Sequence, residues 1–175
     1  MLTFKKNDNV YHCLELGPGI TLSKVFVDNC KFERGCCSGN CINMYKFADN
    51  ADVYLNNNTF EYSGNAYRFS NVTSANVNVR IAYNHYDETD STPITEEDGY
   101  TTRSKYYSGL IVFENYNGND DYSKMKFDIK NLTYGKANKV ILGNNYDGKY
   151  EDQIYYVLLD KPEYKSTYPE ITFSK

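Results

Sequence analysis

The chain has 175 residues, enough for one domain with a substantial core and a squeeze for two. Nineteen tyrosines without a tryptophan, plentiful asparagine and scarce alanine and leucine favour strands and turns over helices. A net charge of -4, with nineteen basic residues scattered along the chain, excludes a basic nucleic-acid stripe and a polybasic membrane patch.

No apolar run approaches the roughly 20 residues needed to cross a bilayer. The N-terminus, MLTFKKNDNVYHC, lacks the apolar centre of a secretory signal. The expectation is a cytosolic chain, one released by another route, one carried on a particle, or a piece cut from something longer. Three N-x-[ST] sequons, at Asn57, Asn71 and Asn131, are read as products of an Asn- and Thr-rich composition and not as glycan sites.

Along the chain one pattern returns. LTFKKN (2–7) is a doubtful first copy, followed by VFVDNCKF (25–32), VYLNNNTF (53–60) and VRIAYNHY (79–86). Two weaker copies are LIVFENYN (110–117) and VILGNNYD (140–147). Each is a short apolar alternation followed by a polar corner, at Cys30, Asn58, Asn84, Asn115 and Asn145, and the corners are 28, 26, 31 and 30 positions apart. Repeats of this length mean stacked architecture, and the period of two inside each copy excludes a helical solenoid.

A second apolar run lies about half a repeat later, as INMYKF (42–47), AYRF (66–69), MKFDI (125–129) and QIYYVLL (153–159). Two strands and two or three turns per repeat predict a coil whose parallel strands pair one rung on the next, about 4.8 Å apart. Asparagine suits such corners because it tolerates left-handed backbone and can bond along a column.

The expected fold is an all-β, right-handed parallel β-helix of about five to six rungs, in a single domain over 1–175. Residues 87–109 form an inserted loop and 160–175 a C-terminal tail. An antiparallel β-sandwich is the alternative, with Asp147-Gly148 as a hairpin dipeptide, but recurrence of a whole rung in one phase fits the β-helix better.

With the first and third positions of each copy turned inward, the second and fourth face out. The outer columns then read Phe26, Tyr54, Arg80, Ile111 and Ile141, and Asp28, Asn56, Ala82, Phe113 and Gly143. An apolar outer stripe marks an interface. Phe26, Tyr54, Ile111, Phe113 and Ile141 are therefore the subunit-interface candidates, unless the chain covers them itself. An open first rung would likewise invite a partner chain.

The five cysteines are Cys13, Cys30, Cys36, Cys37 and Cys41. The spacing in CKFERGCCSGNC is not that of a zinc knuckle pair, and the odd count leaves one thiol over in any disulfide scheme. They are read as buried thiols, with no metal and no cofactor expected.

Glycoside hydrolysis needs two carboxyl groups flanking the bond. Asp120 and Asp121 in NGNDDYSK are the pair that an enzyme would use; Glu96, Glu97 and Asp98 are a further acidic cluster. A solvated turn is the plainer reading of the aspartates. His85 in YNHY and Arg80 in VRIA complete no catalytic set. The inserted segment gathers carboxylates and tyrosines that suit sugar rings, so Tyr83, Tyr86, Glu97, Asp98 and Tyr100 are the glycan-binding candidates.

The repeat resembles the β-helical fibre and tailspike segments of bacterial viruses over roughly residues 20 to 160, through repeat shape and not through a motif. The resemblance implies a virion-attached homotrimer that adheres to, or cleaves, surface polysaccharide. The expected function is a non-enzymatic structural or adhesive fibre component. A polysaccharide-degrading β-helix enzyme and a bacterial surface carbohydrate-binding module are the alternatives.

Overall fold

Val25, Val27, Val53, Leu55, Val79 and Ile81 fall on alternate positions of three strands, and all six are buried. A strand that hides every second side chain needs something to pack against on one side. Here that something is the inside of a coil. The structure, a computed structural model, describes residues 1–5, 13–17, 19–33, 40–61, 65–87, 109–114, 119–134, 154–157 and 166–174.

The described strands form three five-stranded sheets, and the chain visits them in fixed rotation. Sheet A holds β1 (Leu2–Lys5), β4 (Cys30–Glu33), β7 (Thr59–Glu61), β10 (His85–Asp87) and β13 (Thr133–Tyr134). Sheet B holds β2 (Leu14–Leu16), β5 (Asn40–Tyr45), β8 (Asn65–Ser70), β11 (Gly109–Glu114) and β14 (Ile154–Val157). Sheet C holds β3 (Leu22–Asp28), β6 (Phe47–Asn56), β9 (Val77–Ala82), β12 (Met125–Lys130) and β15 (Glu170–Ser174). Every pairing among them is parallel, so the fold is a parallel β-helix and not a sandwich.

Stacking in register turns like residues into columns. Phe4, Phe32 and Phe60 lie ring over ring at 5.0 and 5.1 Å. On sheet B Phe69 and Phe113 stack in register at 5.8 Å, while Phe47 of sheet C packs against Phe69 at 5.9 Å and Phe127 lies edge-on to Phe69 and Phe113. Each fully buried ring of this kind stabilises the fold by about 1.5–3 kcal/mol.

The asparagine corners use two adjacent columns for two different tasks. Asn29, Asn57 and Asn131 take left-handed backbone, with φ of 53, 54 and 49°. The next position, Cys30, Asn58, Asn84 and Leu132, points inward and is buried. Left-handed geometry therefore belongs one residue before the corner position that the repeat marks.

Asn58 and Asn84 instead repair the backbone where the chain turns. Asn58 Oδ1 accepts from the Cys30 amide at 3.0 Å while its Nδ2 donates to the Val27 carbonyl at 2.9 Å. Asn84 does the same one rung on, to the Asn58 amide at 2.7 Å and the Leu55 carbonyl at 2.9 Å. Its Nδ2 also donates to the buried Tyr67 hydroxyl at 3.0 Å. The ladder thus runs from side chain to backbone and not from amide to amide. It is capped by apolar residues, Cys30 on one side and Leu132 on the other.

The sequons belong to the same device. Asn57, Asn71 and Asn131 all have positive φ, and each is followed two residues on by a threonine that enters a β-bridge. At one described corner both backbone and space demand glycine. Gly17 has φ 109°, and a Cβ there would lie 2.5 Å from the Tyr45 carbonyl oxygen.

Three sequence expectations need correction. The fourth copy of the outer-sheet strand is MKFDI, which continues sheet C beneath Val79 and Ile81, while LIVF (110–113) belongs to sheet B. The insertion after Asp87 shifts the phase, and a spacing of 31 merely imitates a rung. Consequently Ile111 and Phe113 do not lie on an exposed stripe: they pair beside Tyr67 and Phe69 and are fully buried in the core. Last, Glu170–Ser174, placed in the tail by the sequence reading, is the final described strand of sheet C.

Candidate functional site

At the corner between sheets C and A one residue breaks the column. Where neighbouring rungs place Asn29, Asn57 and Asn131, the third rung has Tyr83, with φ 57°. Left-handed backbone costs a residue with a full side chain roughly 1–2 kcal/mol, which asparagine partly escapes. Tyr83 is nonetheless held there, its amide donating to the Lys130 carbonyl at 3.1 Å. Tyr83 is 64% exposed and stacks on no other ring among the described residues. Strained residues that persist in this way gather at functional sites.

The surroundings of Tyr83 are polar, with Asp28 and Lys130 of opposite charge in the neighbouring column. Asn57 and Asn131 lie one rung to either side, and Asn57 Nδ2 donates to Asp28 Oδ1 at 2.8 Å. Toward sheet A, His85 Nδ1 and Thr133 Oγ1 are hydrogen-bonded at 2.8 Å.

The outer face of sheet C adjoins this corner. One of its columns reads Phe26, Tyr54, Arg80, Asp128 and Thr172. Phe26 and Tyr54 stack at 4.5 Å, and the Arg80 guanidinium lies 5.4 Å from the far face of the pair, over Tyr54. Lys24 sits 5.5 Å from Phe26. The ladder therefore occupies most of its own ring faces and shows the solvent its edges, although Phe26 remains 62% exposed. Below it opens a groove of about 280 Å³ lined by Asn78, Arg80, Lys126, Asp128, Glu170 and Thr172.

The two aspartates do not form a facing pair. Asp121 is part of the corner: it bridges to Thr73, its amide donates to the Val72 carbonyl at 2.7 Å, and its Oδ1 accepts from the Ser123 amide at 2.9 Å. Burial works to raise its pKa, but the bonds from Ser123 and Ser74 and the charge of Lys124 outweigh that and leave it lowered. Asp120 is 9% exposed. Desolvation raises its pKa against the amides of Asn71 and Val72 and the charge of Arg68. The plainer reading of a solvated turn is thus also incomplete, because one carboxyl is buried and the other holds two rungs together.

On the outer side of sheet B, Tyr45 donates to Glu15 Oε1 at 2.6 Å and accepts from Asn43 Nδ2, with Arg68 at 5.9 Å over its ring. Burial and the bond to Glu15 push the Tyr45 hydroxyl up to about 12.

Among the remaining sequence candidates, Tyr86 lies in β10 at the register position of Phe60, and its side chain is outside the described residues. Glu97, Asp98, Tyr100, Ile141, Asn115 and Asn145 also lie outside them, as do Cys36 and Cys37. Cys13, Cys30 and Cys41 are thiols, and burial raises the pKa of Cys30 first among its causes. No group of three metal-ligating side chains occurs among the described residues.

The sequence reading missed Lys126, Asp128, Glu170 and Thr172. The signal was present in MKFDI and ITF, whose alternation matches the outer-sheet strands once the phase shift is allowed. No family model, curated protein or solved structure matches this chain.

Proposed function

We propose that the chain is a non-enzymatic adhesive solenoid, a virion-type fibre component, that holds a surface polysaccharide at the corner of sheets C and A and on the adjoining outer face of sheet C. Tyr83 carries this reading. An exposed tyrosine kept in a backbone region that its rung neighbours give to asparagine is retained at a cost in stability, and an open aromatic face between amides is a platform for a sugar ring. The rigid coil fixes that platform and the groove lined by Arg80 and Asp128 in one register.

The aspartate pair supports the non-enzymatic side of the proposal. A carboxyl that is 9% exposed and another tied into a corner cannot flank a glycosidic bond. The homotrimeric, virion-borne form rests on the likeness of the repeat to fibre and tailspike segments.

The test is binding of the full chain to an immobilised polysaccharide panel, with reducing ends assayed in parallel. Binding without released ends is expected. Tyr83→Asn, which matches the neighbouring rungs, should keep or raise the melting temperature and weaken binding about tenfold, the scale of one lost aromatic contact. Absence of binding, release of reducing ends, or equal binding by the variant would overturn the proposal.

A further inference from the structure

Resting on the adhesive reading, we infer that the polysaccharide is uncharged and lies along the axis of the solenoid. The charges on the outer face of sheet C carry the inference. Lys24 pairs in register with Asp52, Arg80 with Asp128, and Lys126 with Glu170, so cation and carboxylate alternate one rung apart. Lys130 is ion-paired to Asp128 at 2.9 Å. With Asp28, the outward columns hold four cations and four carboxylates, and the face has no net charge.

A polyanion is recognised by an excess of cations that sums into a positive field. Running up these columns, it would meet a carboxylate within one strand spacing, about 4.8 Å, of each lysine or arginine that it approached. Attraction and repulsion would cancel. A polyol instead uses both members of each pair, donating hydroxyls to Asp128 and Glu170 and accepting from Arg80, Lys126 and Asn78. The column leading to Tyr83 agrees, because Asn56 and Ala82 are uncharged and Asp28 and Lys130, on either side of them, offset each other.

Direction follows from the columns. The polar groups repeat along the coil axis at the strand spacing, whereas across one rung only the three outward positions Asn78, Arg80 and Ala82 precede the corner at Tyr83. A linear pyranose chain is therefore matched rung by rung.

The experiment compares one polysaccharide backbone with and without charge. The full chain is titrated against dextran, mannan and amylose and against the carboxymethylated derivative of each. At least one uncharged polymer should bind, its affinity should change less than about twofold when salt rises to about 1 M, where the Debye length is about 3 Å, and carboxymethylation should weaken it. Tighter binding of the carboxymethylated form, lost in high salt, would overturn the uncharged class while leaving the adhesive reading in place. Failure of all six polymers to bind would overturn both. A second variant separates groove from platform: Asp128→Asn should leave folding intact and weaken the neutral ligand severalfold, and an unchanged affinity would remove the groove from the site.

Discussion

The outer faces of sheets B and C are built from the same alternation and end in opposite states. On sheet C the outward Phe26, Arg80, Lys126 and Thr172 are exposed, and the charges balance in columns. On sheet B the outward Asn43, Ser70 and Val112 are buried, and a carboxylate, a tyrosine and an arginine are drawn into contact around Tyr45. Alternation decides which side chains share a face. Whether that face meets water is decided by what else in the molecule packs there.

The sharpest way to break the comparison is to place the same charge on each sheet. Val112→Asp buries a carboxylate on the covered outer face of sheet B and should cost about 3 kcal/mol or more, seen as a sharply lowered midpoint in a thermal melt. Phe26→Asp on sheet C should shift stability by no more than about 1 kcal/mol. Similar losses from both would mean that the two faces are equally covered.

A medium effect is expected at the seam that joins sheet C to sheet A. Asn58→Ala leaves the Cys30 amide and the Val27 carbonyl without their partner and should cost about 1–3 kcal/mol in denaturant unfolding. Asn57→Gly, which keeps the left-handed backbone at exposed Asn57, should cost less, because there water replaces the side-chain bond.

The smallest effect tests the buried side of sheet B through pH. Asp120 has its pKa raised by desolvation, so the folded state holds that proton more tightly than the unfolded chain. Its favourable contribution is complete below the unfolded value near pH 4 and is lost as pH rises through the folded value. Asp120→Asn should therefore stabilise the protein by on the order of 1 kcal/mol at neutral pH, and the gap should close toward pH 4. A variant less stable than the parent at neutral pH would show that the carboxylate charge is needed beside Arg68.

The repeat was readable because stacking demands like residues at like positions. Valines 25, 53 and 79 and Phe32 with Phe60 recur at nearly constant spacing, and the structure stacks them as columns. The reading failed after Asp87, where an insertion broke the spacing and an apolar run from sheet B stood in for one from sheet C. The binding candidate was half visible. Tyr83 could be singled out by its place beside the insertion, but its positive φ could not, since nothing in YNHY distinguishes a tyrosine on a strand from one on a left-handed corner.

Sequence alone determined the coil, the inward residues of the first three repeats and the presence of polar corners, because period and spacing are local properties that stacking merely repeats. Tertiary structure decided which rung each later segment joins, which of two adjacent corner positions turns inward, and which outer face reaches solvent. Those depend on register between strands distant in sequence, and a register is an energy of neighbours that no single segment contains.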